Sequence, residues 1–210
     1  MPQTNEKLVE KLLEEGRIKT EEVKNSFLRT DRSKFVPEDK QKYSYIDRPI
    51  PIAEGQTISA PHMVAMMTEE LDLEKDSKIM EIGTGSGYQA AILAEIATKG
   101  EIHTIETVET LYTQSKEKLK DYNNVEVYKG DGSRGIPEAA PFNRIISTCG
   151  SPGIPEPWKE QLEEKGIIVA PVGGQRHQTL KKYKKINGEV KEQKVSIPCA
   201  FVPMKGEHGF

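Results

Sequence analysis

From residue 59 to residue 170 the chain alternates between two hydrophobic periods, and this alternation limits the fold more than any other feature. Short apolar runs that read as strands fall at residues 78–82, 101–105, 125–128, 144–147 and 167–170. Between them, residues 88–97, 108–120 and 156–163 repeat apolar side chains at helical spacing. Strands separated by helices pair in parallel through right-handed crossovers, because the connecting helix carries the chain back to the starting end of the sheet. The pattern predicts a doubly wound α/β fold. The last forty residues depart from it. Residues 180–185 and 195–202 flank the tight-turn dipeptide Asn187-Gly188, which predicts a closing antiparallel hairpin.

Upstream of this region the spacing is helical. Residues 5–15 place Leu8, Leu12 and Leu13 on one face, and residues 21–28 turn Val23, Phe27 and Leu28 inward. Phe35-Val36-Pro37 closes that block, and residues 43–56 hold too many helix and strand breakers for regular structure. From Ser59 onward Met63, Val64, Met67 and Leu71 recur at helical spacing, with Ser59 suited to cap the helix. Residues 1–58 therefore read as an N-terminal helical cap and residues 59–210 as the core, together one structural unit. A chain of 210 residues and 23.5 kDa suits one domain with an extension.

Charge and cysteine usage exclude several classes. Thirty Lys and Arg against 33 Asp and Glu leave a formal charge of −3, which argues against nucleic-acid binding through a broad basic patch. Cys149 and Cys199 lack metal-ligand spacing and sit in apolar stretches, so both read as small buried side chains, and no metal is expected. No run approaches the roughly 18 apolar residues of a membrane span, and the charged N-terminus has no signal-peptide core. A cytoplasmic monomer that binds neither membrane nor nucleic acid is the expectation.

The stretch Glu81-Ile82-Gly83-Thr84-Gly85-Ser86-Gly87-Tyr88 lies where the first strand of the alternating region turns into its helix. Glycines there let the backbone turn tightly and approach a ligand with no Cβ in the way. The spacing is G-x-G-x-G, with Tyr88 where a dinucleotide fingerprint has its last glycine. Glu81, two residues before the loop, would repel a pyrophosphate but attract an ammonium and a sulfonium, which favours S-adenosylmethionine over NAD. Glu106 ends the second strand about twenty residues on, where an acid holds ribose hydroxyls. Asp131, in Gly130-Asp131-Gly132, follows the third strand and suits an adenine amino group. Glu106 can equally serve the N-terminus of the next helix, and Asp131 a turn.

Gly55-Gln56-Thr57-Ile58-Ser59-Ala60-Pro61-His62-Met63-Val64 is more diagnostic than the glycine loop. With the glycine loop, Arg32-Ser33-Lys34-Phe35-Val36-Pro37, Gly130-Asp131-Gly132 and Phe201-Val202-Pro203, it resembles the protein-L-isoaspartate O-methyltransferase family from about residue 20 to residue 205. The resemblance implies a mostly parallel, seven-stranded Rossmann-like methyltransferase sheet with an N-terminal helical cap. It implies methyl transfer from S-adenosyl-L-methionine to the free carboxylate of L-isoaspartyl residues in damaged peptides and proteins. The ester then re-forms a succinimide, which reopens in part to normal aspartate. By the same resemblance Ser59 is the catalytic position, and Ser59 and Ala60 meet the substrate. Thr57, Ser59, His62, Gly83, Ser86, Glu106, Asp131 and Gly132 carry over as cofactor positions, and the residues themselves add Glu81, Gly85 and Gly87. An isoaspartyl carboxylate with a pKa of about 3.5 is already ionised, so no general base is required. Ser59 then has only to donate a hydrogen bond, with backbone N–H groups at Ala60 and His62 as a local anion site.

The chain departs from the family pattern in three places. Asn143 replaces an acid, and Thr148, Cys149, Gly150 and Ser151 make an alanine-rich lip more polar. Lys165 stands where a glycine precedes Gly166. The residues after 205 match no pattern. Other readings of the same residues are a methyltransferase of this fold with a different acceptor, and a cofactor-binding module without turnover.

Overall fold

The computed structural model describes residues 4–210. Helices α1 (Asn5–Glu14) and α2 (Glu21–Arg29) are capped by the hydroxyls of Thr4 and Thr20, which accept from the N–H groups of Lys7 and Val23. Leu8, Leu12, Val23 and Phe27 are buried, but Leu13 and Leu28 are 36% and 39% exposed. Each lies one residue past the buried i, i+4 row, about 100° around a helix that contacts the protein along a narrow stripe. At the end of residues 43–56 and just beyond, the chain is less irregular than expected. Strands β1 (Ile50–Pro51) and β2 (Thr57–Ile58) pair antiparallel across a turn at Ala53–Gly55. A two-residue ladder is too short to leave a period in the sequence.

Helix α3 (Pro61–Glu70) begins one residue later than expected. Ala60, not Ser59, is its N-cap, and Pro61 occupies the first helical position, where its fixed φ fits and its missing N–H costs nothing. The alternating region then runs β3 (Lys78–Ile82), α4 (Tyr88–Ile96), β4 (Glu101–Glu106), α5 (Glu109–Leu119), β5 (Val125–Lys129), β6 (Phe142–Ser147), α6 (Glu156–Gln161) and β7 (Leu162–Gly173). Strands β5, β4, β3, β6 and β7 are parallel neighbours in that order, and β8 (Gln178–Ile186) adds antiparallel to β7. The outer edge of β8 takes β9 (Glu189–Glu192) and then β10 (Ile197–Cys199), so the sheet has eight strands. They fill seven positions, because β9 and β10 succeed one another along a single edge. Asn187-Gly188 does make a hairpin turn, with φ of 53° and 80°, but its second strand is β9 rather than residues 195–202. A two-residue turn returns the chain at once, and the polar Glu189, Lys191 and Glu192 conceal that strand from a hydrophobicity pattern.

Alternation along the strands divides the core into two layers. Ile79, Ile146, Ile167 and Val169 face the helices α1 to α4, while Met80, Ile145, Ile168 and Ala170 face Phe142 and Trp158. Strand β7 is longer than residues 167–170 because it starts before a bulge. Its partner advances only from Phe142 to Arg144 while β7 advances from Leu162 to Ile167. Glu164, in that bulge, accepts hydrogen bonds from the N–H groups of Asn187 and Gly188 at 2.7 and 3.0 Å, tying the bulge to the hairpin turn. Asn143, the residue in place of an acid, accepts from the Lys78 N–H at 3.0 Å and so joins β6 to the start of β3.

Lys165 adopts φ of 65°, a left-handed conformation that disfavours a Cβ. Lys165→Gly is expected to raise unfolding stability by about 1 kcal/mol. Urea denaturation of the two proteins checks this, and an unchanged or lower midpoint would refute it.

Candidate active site

Strand β3 lies between β4 and β6, so the chain leaves β3 toward one side of the sheet and later returns on the other. Loops diverging from the carboxyl ends of such strands leave a crevice. Here it is a cavity that opens to solvent. Its wall includes Thr57, Ser59, Glu81, Gly83, Gly85, Ser86, Glu106 and Gly132. These eight come from four separate stretches of sequence. Gly87, Ala60, His62 and Asp131 do not line it.

The glycine loop is held by backbone bonds to its neighbours. The N–H of Gly83 donates to Ile105 O at 2.9 Å and that of Thr148 to Ile82 O at 2.9 Å. A Cβ on Gly83 would meet the Thr148 hydroxyl at 2.6 Å, so the polar lip after β6 presses directly on the loop. Gly85, at φ of 54°, is different: a Cβ there would find only Ile52 Cδ1, at 4.0 Å. The space above Gly85 is open to a ligand. Gly87 instead faces Leu119, which a Cβ would approach to 3.2 Å, so its lack of a side chain serves packing. Tyr88 is accommodated because it points toward the N-terminal helices. Its ring packs edge-on to Phe27 at 6.1 Å and beneath the Arg32 guanidinium at 5.2 Å.

The three carboxylates singled out by their strand-end positions have different environments. Glu106 Oε2 accepts from the Gly85 N–H at 2.8 Å, and Oε1 accepts from the N–H groups of Thr107 and Val108, both at 2.9 Å. It thus braces the glycine loop and the approach to α5 while lining the cavity. Asp131 is turned away. Its oxygens accept from the N–H and hydroxyl of Ser133 and from the N–H of Glu207, and the Ser133 hydroxyl accepts from the His208 N–H. Burial pushes the Asp131 carboxyl up, but these donors outweigh it and hold it below the ordinary range. Asp131 anchors the C-terminal segment, whose Val202, Pro203, Met204 and Lys205 form part of the cavity wall. Glu81 is wholly buried and neither of its oxygens has a hydrogen-bond partner. Burial, offset in part by Thr104 and reinforced by the Glu106 charge, pushes it up to about 8.

Two residues with no motif of their own organise the site. The indole N–H of Trp158 donates to Gly132 O at 2.9 Å, fixing the loop after β5. Asp47 Oδ1 accepts from both the backbone N–H and the ring Nδ1 of His62, each at 2.9 Å. The first turn of α3 is therefore served by Asp47, which removes the His62 N–H from the expected anion site. Burial raises the Asp47 carboxyl, yet the His62 ring and backbone bonds together hold it below the ordinary range. Arg32, itself buried and lowered to about 10 by burial, clamps the loop around Asp47 by donating to Ser44 O at 2.9 Å and Arg48 O at 3.4 Å. No sequence period marks Asp47, because its role depends on a partner fifteen residues away.

Asp47→Ala leaves the His62 N–H without its carboxylate and is expected to destabilise the protein by roughly 1–3 kcal/mol, with Asp47→Asn recovering most of the loss. Denaturant titration of both variants checks this. The native carboxylate's contribution is present above about pH 4 and fades as acid titrates Asp47 through its lowered value.

Among the described residues no helix is long and apolar enough to cross a membrane, and no group of three or more His, Cys, Asp or Glu side chains is placed to hold a metal. Residues 3–209 match the family model described as protein-L-isoaspartate(D-aspartate) O-methyltransferase (PCMT). The chain is 45% identical over 206 residues to a protein-L-isoaspartate O-methyltransferase of Methanococcus maripaludis, covering 97% of this chain and 96% of that protein. It is 47% identical over 206 residues to the enzyme of the same name from Dictyoglomus thermophilum, covering 97% and 92%. Its fold is similar to that of a Plasmodium falciparum protein of this kind solved in complex with S-adenosyl-L-homocysteine. There the TM-score is 0.84 at 26% identity, with 97% of this chain and 99% of that one covered. A match across nearly the whole length, together with a cavity at the switch point of the sheet, places this chain in the protein-L-isoaspartate(D-aspartate) O-methyltransferase family.

Proposed function

We propose a division of labour within the cavity for the family's reaction, S-adenosylmethionine-dependent methylation of L-isoaspartyl carboxylates. The wall of Thr57, Glu81, Gly83, Gly85, Ser86, Glu106 and Gly132 receives the cofactor, and the rim at Ser59 receives the isoaspartyl carboxylate. The observation that carries this reading is the pairing of an unpartnered buried carboxylate, Glu81, with open backbone above Gly85. A carboxyl that can ionise there beside Glu106 suits an amino-acid ammonium next to a sulfonium, whereas a pyrophosphate would gain nothing from it.

When bound, the cofactor supplies a methyl group activated by a sulfonium and a neutral leaving group. The chain's own task is to align the acceptor oxygen and shed its water. Ser59, half-buried at the rim, donates a hydrogen bond that orients the carboxylate. The Ala60 N–H lies next to it in the chain, while the His62 N–H stays with Asp47. No side chain has to remove a proton, because the acceptor is ionised at neutral pH. In this division Asp131 and His62 act through what they hold, the C-terminal segment and the start of α3.

Transfer of labelled methyl from S-adenosylmethionine to paired peptides differing only in isoaspartate or aspartate tests the reading. Base-labile label on the isoaspartyl peptide alone is expected, and equal labelling of both peptides would refute it. Ser59→Ala is expected to lower kcat roughly tenfold or more, the scale of one hydrogen bond to a charged group, with cofactor affinity changed by less than about twofold. Full retained activity in that variant would remove Ser59 from the substrate contact.

A further inference from the structure

Glu81 differs from the other carboxylates of the site in having nothing to hold. It lies on β3 opposite Thr104 of β4 and Ile146 of β6, on the sheet face it shares with Ile79. Its side chain is 0% exposed, and both oxygens are without hydrogen-bond partners. Thr104, whose hydroxyl shares a hydrogen bond with Thr84 at 2.7 Å, offsets the effect of burial only in part. Among the described residues no lysine, arginine or histidine forms an ion pair with Glu81. An ionised carboxylate in such a place lacks both solvent and a counter-charge, so its stable form is the neutral acid.

The groups around it do not alter this. From β4, Glu106 faces it with a second negative charge. From the lip after β6 comes Cys149, whose thiol burial pushes up to about 12, leaving it neutral. From α4, Tyr88 contributes to the cavity wall, but its hydroxyl, pushed up by burial, lies toward Arg32 rather than Glu81. Helix α3 contributes Val64 and Met67, which carry no charge, and the C-terminal segment contributes Lys205 to the cavity wall.

We propose that Glu81 keeps a proton in the cofactor-free protein and surrenders it to solvent when the cofactor's α-ammonium enters the cavity, so that cofactor binding releases about one proton. The inference rests on the assignment of this cavity to S-adenosylmethionine made above. The O–H bond of the Glu81 carboxyl breaks, its electron pair stays on the oxygen, and the proton goes to solvent. No oxidant or reductant is involved. Direct contact is not needed, because a positive charge within about 4–6 Å already favours the carboxylate. The neutral acid lets the free protein tolerate a buried carboxyl beside Glu106, and the charged form appears only with its counter-ion.

Cofactor affinity then depends on pH with a definite sign. Below about 8 the free protein holds the proton, and binding has to remove it. Affinity therefore rises with pH through the acid and neutral range, approaching tenfold per unit, and flattens as the free carboxyl ionises by itself.

The test is calorimetric titration with S-adenosylhomocysteine, which carries the same ammonium and transfers no methyl group. Titrations at about pH 6.5, where the α-amino group of the ligand is already protonated, are run in two buffers of different ionisation enthalpy. Release of about one proton in the native protein, and of none in Glu81→Gln, is expected. Binding with no proton released would overturn the proposal and leave the cavity assignment standing, whereas absence of binding would overturn both. Should Glu81→Gln fail to bind or fold, infrared difference spectra of the native protein decide. Loss of a protonated-carboxyl band on adding the ligand supports the proposal, and absence of that band from the free protein refutes it.

Discussion

The parallel pairing of β3 with β4 on one side and β6 on the other is the constraint on which the site depends. Ile82 stands level with Ile105 and with Ser147, so three strands end together at one edge of the sheet. The loops leaving these strands and the adjacent β5 are then bound to their neighbours: Gly83 to Ile105, Gly85 to Glu106, Thr148 to Ile82, Gly130 to the Glu106 carbonyl. The glycine loop is thereby held by the strands beside it rather than by its own sequence. A ligand entering above Gly85 meets a preorganised backbone.

Acidic residues at these strand ends divide into those that support structure and the one that does not. Glu106 and Asp131 satisfy backbone N–H groups that loops and helix starts would otherwise leave open. Such donors favour the charged form of a carboxylate, as the lowered Asp131 shows. Glu81 has no such donors and is the carboxylate whose ionisation needs a charge from outside the protein. The same residue type therefore serves as a brace in two places and as a ligand-responsive group in the third.

The N-terminal helices belong to the same packing as the sheet. Leu8, Leu12, Phe27 and Phe35 share one buried cluster with Tyr88 and Ile92 of α4. Each fully buried side chain of this size contributes roughly 1.5–3 kcal/mol by leaving water, so the extension cannot be removed without exposing the helix that follows the glycine loop. Arg32 and Asp47 carry that connection to the start of α3, beside Ser59.

The strand and helix order from residue 78 to residue 170 could be read from the sequence because apolar residues recur there at strand or helix spacing, and β3 falls at the expected residues. That the glycine loop, Glu81 and Glu106 stand together at the strand ends was likewise legible, since a turn from strand to helix needs glycines, whereas Thr57 and Ser59 were legible only through the family resemblance; all of them line one cavity. The polar strand β9, the two-residue ladder of β1 and β2, and the exposure of Leu13 and Leu28 were not legible. They depend on which edge or stripe is covered by another part of the chain. Asp47 and Trp158 escaped for the same reason, as their partners are His62 and the Gly132 carbonyl, far along the sequence. Sequence alone determined which chemical groups stand at the ends of the strands, because periodicity and residue type are local properties. Only the tertiary structure decided which of those groups are already hydrogen bonded and which is left for a ligand, because satisfying a buried charge depends on neighbours brought together by folding.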